Sequence, residues 1–208
     1  GVKVRASGVI VGGWGITPAK IAKRVAEIYG LPLMVHVGDF SPLIDEVFEI
    51  LTPGDIVTHC FNGKRAGSIR DTQALFNLAQ SISREGVRMD IGHGAASFCF
   101  ATARMAMEKG LRPWSISTDL HLRNLHGPVY DMATTASKLI ATGLPFDDTI
   151  DAITIRPRET MGLTTVPKTG DMADFTLFRL DDCDQSVADS LGNSMVLKQM
   201  LEPVGTVI

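Results

Sequence analysis

The segment Leu33-Met34-Val35-His36-Val37 is a short apolar run that contains a histidine near its end. A helix that stops at Gly30 precedes it, and a loop containing Gly38 and Asp39 follows. Short continuous apolar runs between turn residues are typical of strands that are buried on both faces of a parallel sheet. We therefore predict a buried strand here, followed by a helix at about residues 42–51.

The same order of strand, loop and helix recurs on both sides of this segment. Parallel strands need long helical connections, so five successive units predict an α/β fold with a parallel sheet and helices packed outside it. The predicted strands cover residues 2–6, 33–37, 55–59, 87–91 and 114–118, and the helix after the last strand covers residues 129–141. The glycine-rich stretch at residues 12–15 lacks the spacing of a phosphate loop and predicts a flexible loop.

The sequence pattern of strand, loop and helix units ends after a further short helix at about residues 146–155. Residues 175–180 alternate between apolar and polar side chains, which predicts an antiparallel strand. We therefore expect two parts, an α/β domain at residues 1–163 and part of a small β-rich domain at residues 164–208.

Composition narrows the classes of partner. The 208 residues are 45% hydrophobic and carry a net charge of -3, so no basic surface for nucleic acid or polybasic membrane anchor is expected. No apolar stretch approaches the roughly 18 residues that a membrane helix requires. A small-molecule substrate is the expected partner, and the sequence carries no signal that settles whether the protein is a homo-oligomer.

The three cysteines are far apart, which predicts reduced thiols and a cytoplasmic location. The chain starts at Gly1 with a strand-like segment and no initiator methionine, and we expect it to be a piece of something longer.

Polar side chains recur where the predicted strands end. His36, His59, His93 and Asp119 all fall at or just after strand ends, and in parallel α/β folds these ends form one rim. A single histidine there is usually a hydrogen-bonded structural residue. Two histidines and one aspartate on neighbouring strands can instead surround a divalent metal ion. Lys3 lies inside the first strand, where a buried cation is costly unless it is paired or modified.

Taken together, five segments resemble the amidohydrolase superfamily, and more narrowly its dihydroorotase-like amidohydrolase/deacetylase branch. The resemblance extends from Gly1 to about Leu180. The segments are Gly1-Val2-Lys3-Val4-Arg5, Met34-Val35-His36-Val37-Gly38, Thr58-His59-Cys60-Phe61-Asn62-Gly63, Asp90-Ile91-Gly92-His93-Gly94 and Ile116-Ser117-Thr118-Asp119-Leu120-His121.

This resemblance implies strands four to eight of a metal-dependent (β/α)₈ TIM barrel, followed by part of a small β-sandwich domain. It implies that Lys3 is carboxylated and bridges two metal ions, and that His36 and His59 are metal ligands. Asp119 would be both a metal ligand and the general base. The family's His-x-His pair on the first barrel strand is absent from this chain, as are strands one to three. The number of metal ions, one or two, therefore stays open. Zinc is expected, although manganese and iron accept the same ligands.

The resemblance and the residue types lead to hypotheses of two classes. The first is a metal-dependent hydrolase of an amide, cyclic amide or ester, with deacetylation of a small acylated acid ahead of dihydroorotase- or hydantoinase-like ring opening. The second class is a non-catalytic metal-binding or structural barrel domain. His93, His121 and Asn124 are candidate substrate-binding residues because loops at this rim tend to bind ligands, although a plain turn or a solvated loop would look the same.

Overall fold

The computed structural model describes residues 1–163 and 166–208, and it confirms the α/β class. Four parallel strands form one sheet in the order β1-β2-β3-β4, and two antiparallel strands, β5 and β6, form another. The strands are β1 (Val2–Arg5), β2 (Leu33–His36), β3 (Ile56–Thr58), β4 (Arg88–Asp90), β5 (Phe175–Ala188) and β6 (Ser194–Val207). The helices are α1 (Gly8–Val11), α2 (Thr17–Tyr29), α3 (Ile44–Glu49), α4 (Gln73–Arg84), α5 (Phe100–Glu108), α6 (Met132–Ala141), α7 (Phe146–Ile153) and α8 (Ile155–Thr160), with a 3₁₀ turn at Gly12–Trp14.

The parallel sheet has one apolar face and one polar face. Residues in register on neighbouring parallel strands share a face, and successive residues alternate between faces. One row is apolar and packs under the helices: Val4, Val35, Val57 and Met89. The next row lies on the opposite face at the carboxyl ends of the strands: Arg5, His36, Thr58 and Asp90. The polar row therefore faces away from the apolar core.

The predicted fifth strand is present only as an irregular segment. A single parallel bridge joins Asp90 to Ser115, and backbone hydrogen bonds from His93 and Gly94 to residues 117 and 118 continue the pairing. The hydroxyls of Ser115 and Ser117 both donate to the buried Asp90 carboxylate at 2.7 Å, which ties the segment to β4 through side chains. It still brings Asp119 to the rim that the other strands form.

Two local predictions need correction. The helix expected at residues 129–141 begins at Met132, because the Asp131 carboxylate accepts the backbone N–H of Thr134 at 2.6 Å and caps it there. The stretch at residues 12–15, predicted as a loop, contains a 3₁₀ turn at Gly12–Trp14 directly after α1.

The hairpin of β5 and β6 packs against the α/β part through buried side chains of both strands. Val187, Leu197 and Leu201 are buried, and the backbone N–H of Leu201 donates to Ser137 Oγ on α6 at 2.9 Å. The single alternating strand predicted at residues 175–180 is thus the start of a longer strand pair. The predicted boundary at Thr164 lies outside the described residues.

Within residues 1–163 and 166–208, every helix is too short or too polar to cross a lipid bilayer.

Candidate metal centre

Two histidines meet at the carboxyl rim of the parallel sheet. His36 is the last residue of β2 and His59 directly follows β3, and their ring centroids are 4.1 Å apart with the planes inclined at 72°. Both side chains are buried, with exposed fractions of 8% and 1%. Parallel strands place their ends side by side, so neighbouring strand ends bring these imidazoles together although 22 residues separate them in the sequence.

The backbone at His59 turns the ring towards His36. Thr58, the residue before it, belongs to the polar row on the face opposite the helices, and its hydroxyl donates to Asp90 Oδ2 at 2.6 Å. In an extended strand the next side chain would point to the opposite face. His59 instead has φ +68°, in the left-handed region, which is uncommon for residues other than glycine and concentrates at functional sites.

Hydrogen bonding fixes which ring nitrogens are available. Nδ1 of His59 lies 2.5 Å from the carbonyl oxygen of Gly92. A carbonyl only accepts, so Nδ1 donates its proton and Nε2 keeps a free lone pair. Nε2 of His36 is a buried atom with no hydrogen-bond partner among the described residues. An unpaired buried nitrogen is costly, and a cation that binds the lone pair would satisfy it.

Both rings are held in the neutral form that binds metal ions. Burial lowers the pKa of His36 to about 3, and the repulsion that protonated His36 would meet from a protonated His59 and from Arg5 acts in the same direction. Burial also lowers the pKa of His59, against the opposing effect of its bond to Gly92 and of the Asp119 carboxylate. Neutral imidazole is the form that coordinates zinc.

Asp119 lies at the same rim, next to the loop that follows β4. A β-carbon placed on Gly94 would lie 3.0 Å from Asp119 Oδ2, so the carboxylate packs against the Gly94 backbone. Asp119 also has a left-handed φ, of +48°, and its side chain is exposed. Its charge acts to raise the pKa of His59.

Lys3 differs from the expectation of a buried cation. It is exposed, because β1 is an edge strand of the described sheet and Lys3 is on the face opposite the helices, in register with Met34. The cost of burial therefore does not apply to it here. Its charge nevertheless lowers the pKa of both His36 and His59, so the histidine pair is within its electrostatic reach.

The structure brings together part of the predicted ligand set. In the described part of the chain, no three side chains of His, Cys, Asp or Glu converge closely enough to hold a metal ion. His36 and His59 form a close pair, and the charges of Lys3 and Asp119 affect the pKa of His59. The buried, unpaired Nε2 of His36 and the free Nε2 of His59 are a donor set that fits zinc.

The three predicted substrate-binding residues have different surroundings. His93 is fully buried, and its ring centroid lies 4.7 Å from that of Phe98. Asn124 is also buried and uses its amide within its own loop, accepting from His121 N–H and donating to the Asp119 carbonyl oxygen at 3.0 Å. His121 is exposed, and its Nδ1 accepts the N–H of Arg123. Substrate contact by these residues stays a prediction.

Sequence reasoning missed two buried charged residues near this rim. Asp90 accepts hydroxyl hydrogen bonds from Thr58, Ser115 and Ser117, and so it fastens the segments that carry His59 and Asp119. Lys138 is fully buried on α6. A lone lysine within a stretch of small and apolar residues at 133–141 was the available signal.

Stability is expected to fall in acid because His93 is buried in neutral form. Burial, with the neighbouring Lys138 charge, lowers the pKa of His93 to about 4. Between an ordinary pKa of about 6.5 and this value, the unfolded chain binds a proton that the folded chain does not. The group's contribution is present above pH 6.5 and is lost towards pH 4, by about 3 kcal/mol in all.

Urea unfolding of the intact protein at several pH values measures this loss. His93→Gln keeps an acceptor for Lys138 and should flatten the pH dependence between 4 and 6.5, whereas the same change at the exposed His126 should not. Equal pH slopes for wild type and His93→Gln would refute the prediction.

Comparisons with known proteins find close relatives. No family model matches the chain. A Brucella anthropi protein named deacetylase is 51% identical over 210 residues, covering all of this chain and 52% of the relative, and an Enterococcus faecalis protein of the same name is 39% identical, covering 58% of that relative. The chain therefore spans about half the length of the curated relatives it matches.

Two solved structures also match nearly the whole of this chain. A crystal structure described as a dihydroorotase matches with a TM-score of 0.96 and 50% identity, covering 99% of this chain and 54% of that one. A structure described as an adenine deaminase matches with a TM-score of 0.94 and 38% identity, covering 100% of this chain and 58% of that one.

Proposed function

Because the chain belongs to the amidohydrolase superfamily, as do its relatives named deacetylase, dihydroorotase and adenine deaminase, we propose that it is part of a metal-dependent hydrolase. The proposed reaction is attack of water on the carbonyl carbon of an amide, cyclic amide or ester. The substrate that we place first is a small acylated acid from which acetate is released, in line with the relatives' names.

One observation carries this proposal: a pair of buried, neutral imidazoles at the strand-end rim with an orphaned Nε2 on His36. The Nε2 atoms of the two rings have no structural use that the described residues reveal. Metal ligation uses both lone pairs and removes the cost of leaving one unpaired.

We propose that His36 and His59 hold a divalent metal ion, with Asp119 and a carboxylated Lys3 as the oxygen ligands. Zinc is the preferred ion, and one or two ions can be accommodated by this set of residues. A bound divalent ion polarises a carbonyl and lowers the pKa of water towards about 7. Carboxylation would convert the Lys3 ammonium into an anionic ligand beside two neutral imidazoles, which suits a cation.

We propose Asp119 as the general base. Its carboxylate is exposed at the rim, beside Gly94 and within electrostatic range of His59. It would accept a proton from the attacking water and return it to the leaving nitrogen or oxygen atom. Asn124 donates to the Asp119 backbone carbonyl oxygen and so helps to fix the backbone that carries this carboxylate.

Ring opening of a cyclic amide is the second candidate reaction. The match to a structure described as a dihydroorotase, at 50% identity, favours it, because the same water attack opens a cyclic amide. A metal-binding domain without turnover is the outcome to be excluded.

The architecture that we propose for the whole protein follows from the same relatives. The open edge of β1 and the share of the relatives that this chain covers support strands four to eight of a (β/α)₈ barrel at residues 1–163 and part of a small β-sandwich domain at 164–208. We also propose a small-molecule substrate and a cytoplasmic location, which agrees with three free cysteines.

The test is an assay of the intact protein with its metal content measured alongside. Acetate release from N- or O-acetylated small carboxylic acids would support the first reaction, and ring opening of dihydroorotate or hydantoins the second. Bound metal without either activity would support the binding domain. Absence of a stoichiometric divalent metal after growth with zinc would contradict the proposal itself.

Gly92 offers a further prediction, because it touches both Thr58 and His59. A β-carbon there would clash with Thr58 Oγ1 and lie 2.6 Å from His59 Nδ1. Gly12 has a similar left-handed φ, +50° against +48°, but nothing lies within 4 Å of its added β-carbon. Both variants place an alanine at a positive φ, but only the added β-carbon of Gly92→Ala meets His59 and displaces it.

We expect Gly92→Ala to weaken zinc binding by the intact protein by roughly ten-fold or more, as measured by competition with a chelator. Gly12→Ala should bind zinc like the wild type. If the two variants lost zinc affinity equally, the position of His59 would not matter for the metal.

A further inference from the structure

Lys138 is a fully buried lysine whose ammonium group joins three segments of the chain. Its Nζ donates to the carbonyl oxygens of Pro128, in the loop before α6, and of Ala188, the last residue of β5, the latter at 2.8 Å. Nε2 of His93 lies 3.0 Å from the same Nζ. An ammonium group has three protons, so these three acceptors use all of its donors.

The charge of Lys138 is tolerated because acids lie near it. Burial lowers the pKa of Lys138 to about 8, and the carboxylates of Asp189 and Asp131 act against this. The group is therefore mainly protonated at neutral pH. Burying a lysine is costly, and among the described residues no carboxylate contacts its ammonium group directly. The hydrogen bonds to its three acceptors therefore also help to offset the cost of burial.

The bond from Lys138 determines the tautomer of His93. Nε2 of His93 accepts from the ammonium group, so the ring proton is on Nδ1, which donates to the Gly94 carbonyl oxygen at 3.0 Å. The ring is packed against Phe98 and cannot turn freely. Lys138 thus holds the turn Gly92-His93-Gly94 through the His93 side chain.

Both proposed functional groups touch this turn. The Gly92 carbonyl oxygen accepts the Nδ1 proton of His59, and the Gly94 backbone packs against the Asp119 carboxylate. The hairpin braces the same turn from outside, since Ser190 Oγ donates to the Gly94 carbonyl oxygen at 2.9 Å. A shift of the turn would therefore move a metal ligand and the general base together.

The geometry points to Lys138 as a positioning residue of the proposed metal centre, acting through His93 on the turn that orients His59 and Asp119. This inference rests on the proposed function. It assigns a role to a residue that would contact neither metal nor substrate.

Lys138→Met in the intact protein is the test, because methionine fills a similar volume and removes the three donors. We expect zinc affinity, measured on the metal-free protein by competition with a chelator, to fall roughly ten-fold. His93→Leu, which removes both ring nitrogens, should cause a similar loss, and the double variant should lose no more than either single variant, because both changes release the same turn.

Lys23→Met is the matched control. Lys23 is also shielded from solvent, with 12% exposure, and pairs with Asp55 at the opposite end of β3. Its removal should lower thermal stability without changing zinc affinity, which separates a positioning role from a loss of folded protein. Lys138→Gln, whose amide keeps two N–H donors in place of three, serves if the methionine variant does not fold.

The outcomes distinguish the two proposals. A wild type that binds no zinc contradicts the proposed function. A wild type that binds zinc, with Lys138 variants that bind it equally well, contradicts the positioning role alone. Additive losses in the double variant would contradict action through His93.

Discussion

Asp119→Asn is expected to lower the turnover number of the intact protein by about 10²- to 10⁴-fold, the usual contribution of a general base. The amide cannot accept the proton of the attacking water. It keeps the shape of the carboxylate, and asparagine tolerates the left-handed φ of +48° that Asp119 adopts. The fold should therefore survive the substitution, and His36, His59, Lys3 and the amide oxygen of the new asparagine would still offer ligands to the metal.

The measurement is turnover on whichever acetylated acid or cyclic amide the wild type hydrolyses, with metal content determined for each sample. Asp147→Asn, at an exposed acid in the first turn of α7, is the control and should keep the wild-type rate. Full activity of Asp119→Asn with unchanged metal content would show that another group is the base.

His59→Asn is expected to abolish stoichiometric zinc binding, with a loss larger than the roughly 10- to 100-fold that follows removal of an outer partner. Asparagine can adopt the φ of +68°, and its amide N–H can replace Nδ1 as the donor to Gly92. The variant therefore removes the Nε2 lone pair and preserves the rest of the local structure.

Elemental analysis and chelator competition on the intact protein measure this effect. His126→Asn removes an exposed histidine and should leave zinc binding unchanged. Retention of one zinc ion per chain with wild-type affinity in His59→Asn would remove His59 from the ligand set.

The fold class could be predicted because the parallel strands are nearly continuous apolar runs. Val35 and Val57 are fully buried in neighbouring strands, as the sequence of each strand indicates. The irregular fifth segment could not be predicted, because Ser115 and Ser117 read as strand residues but bond by their side chains to Asp90. That pairing depends on tertiary contacts, not on a local pattern.

Only part of the candidate site could be predicted from the sequence. His36 and His59 end adjacent strands, and strand order alone brings them together. The left-handed backbone at His59 and Asp119 could not be predicted locally, because histidine and aspartate favour this region more than other residues do but still seldom adopt it. Lys138 was overlooked because a lysine on a helix is normally solvated, whereas here the hairpin and the His93 turn cover it.

The central claim is that His36 and His59 jointly bind a divalent metal ion. A crystal structure of the intact, zinc-loaded protein with data collected at the zinc absorption edge tests it most directly. The account predicts an anomalous peak about 2.0 to 2.1 Å from Nε2 of both His36 and His59. A zinc-loaded crystal whose anomalous peaks all lie away from these two nitrogens would contradict it.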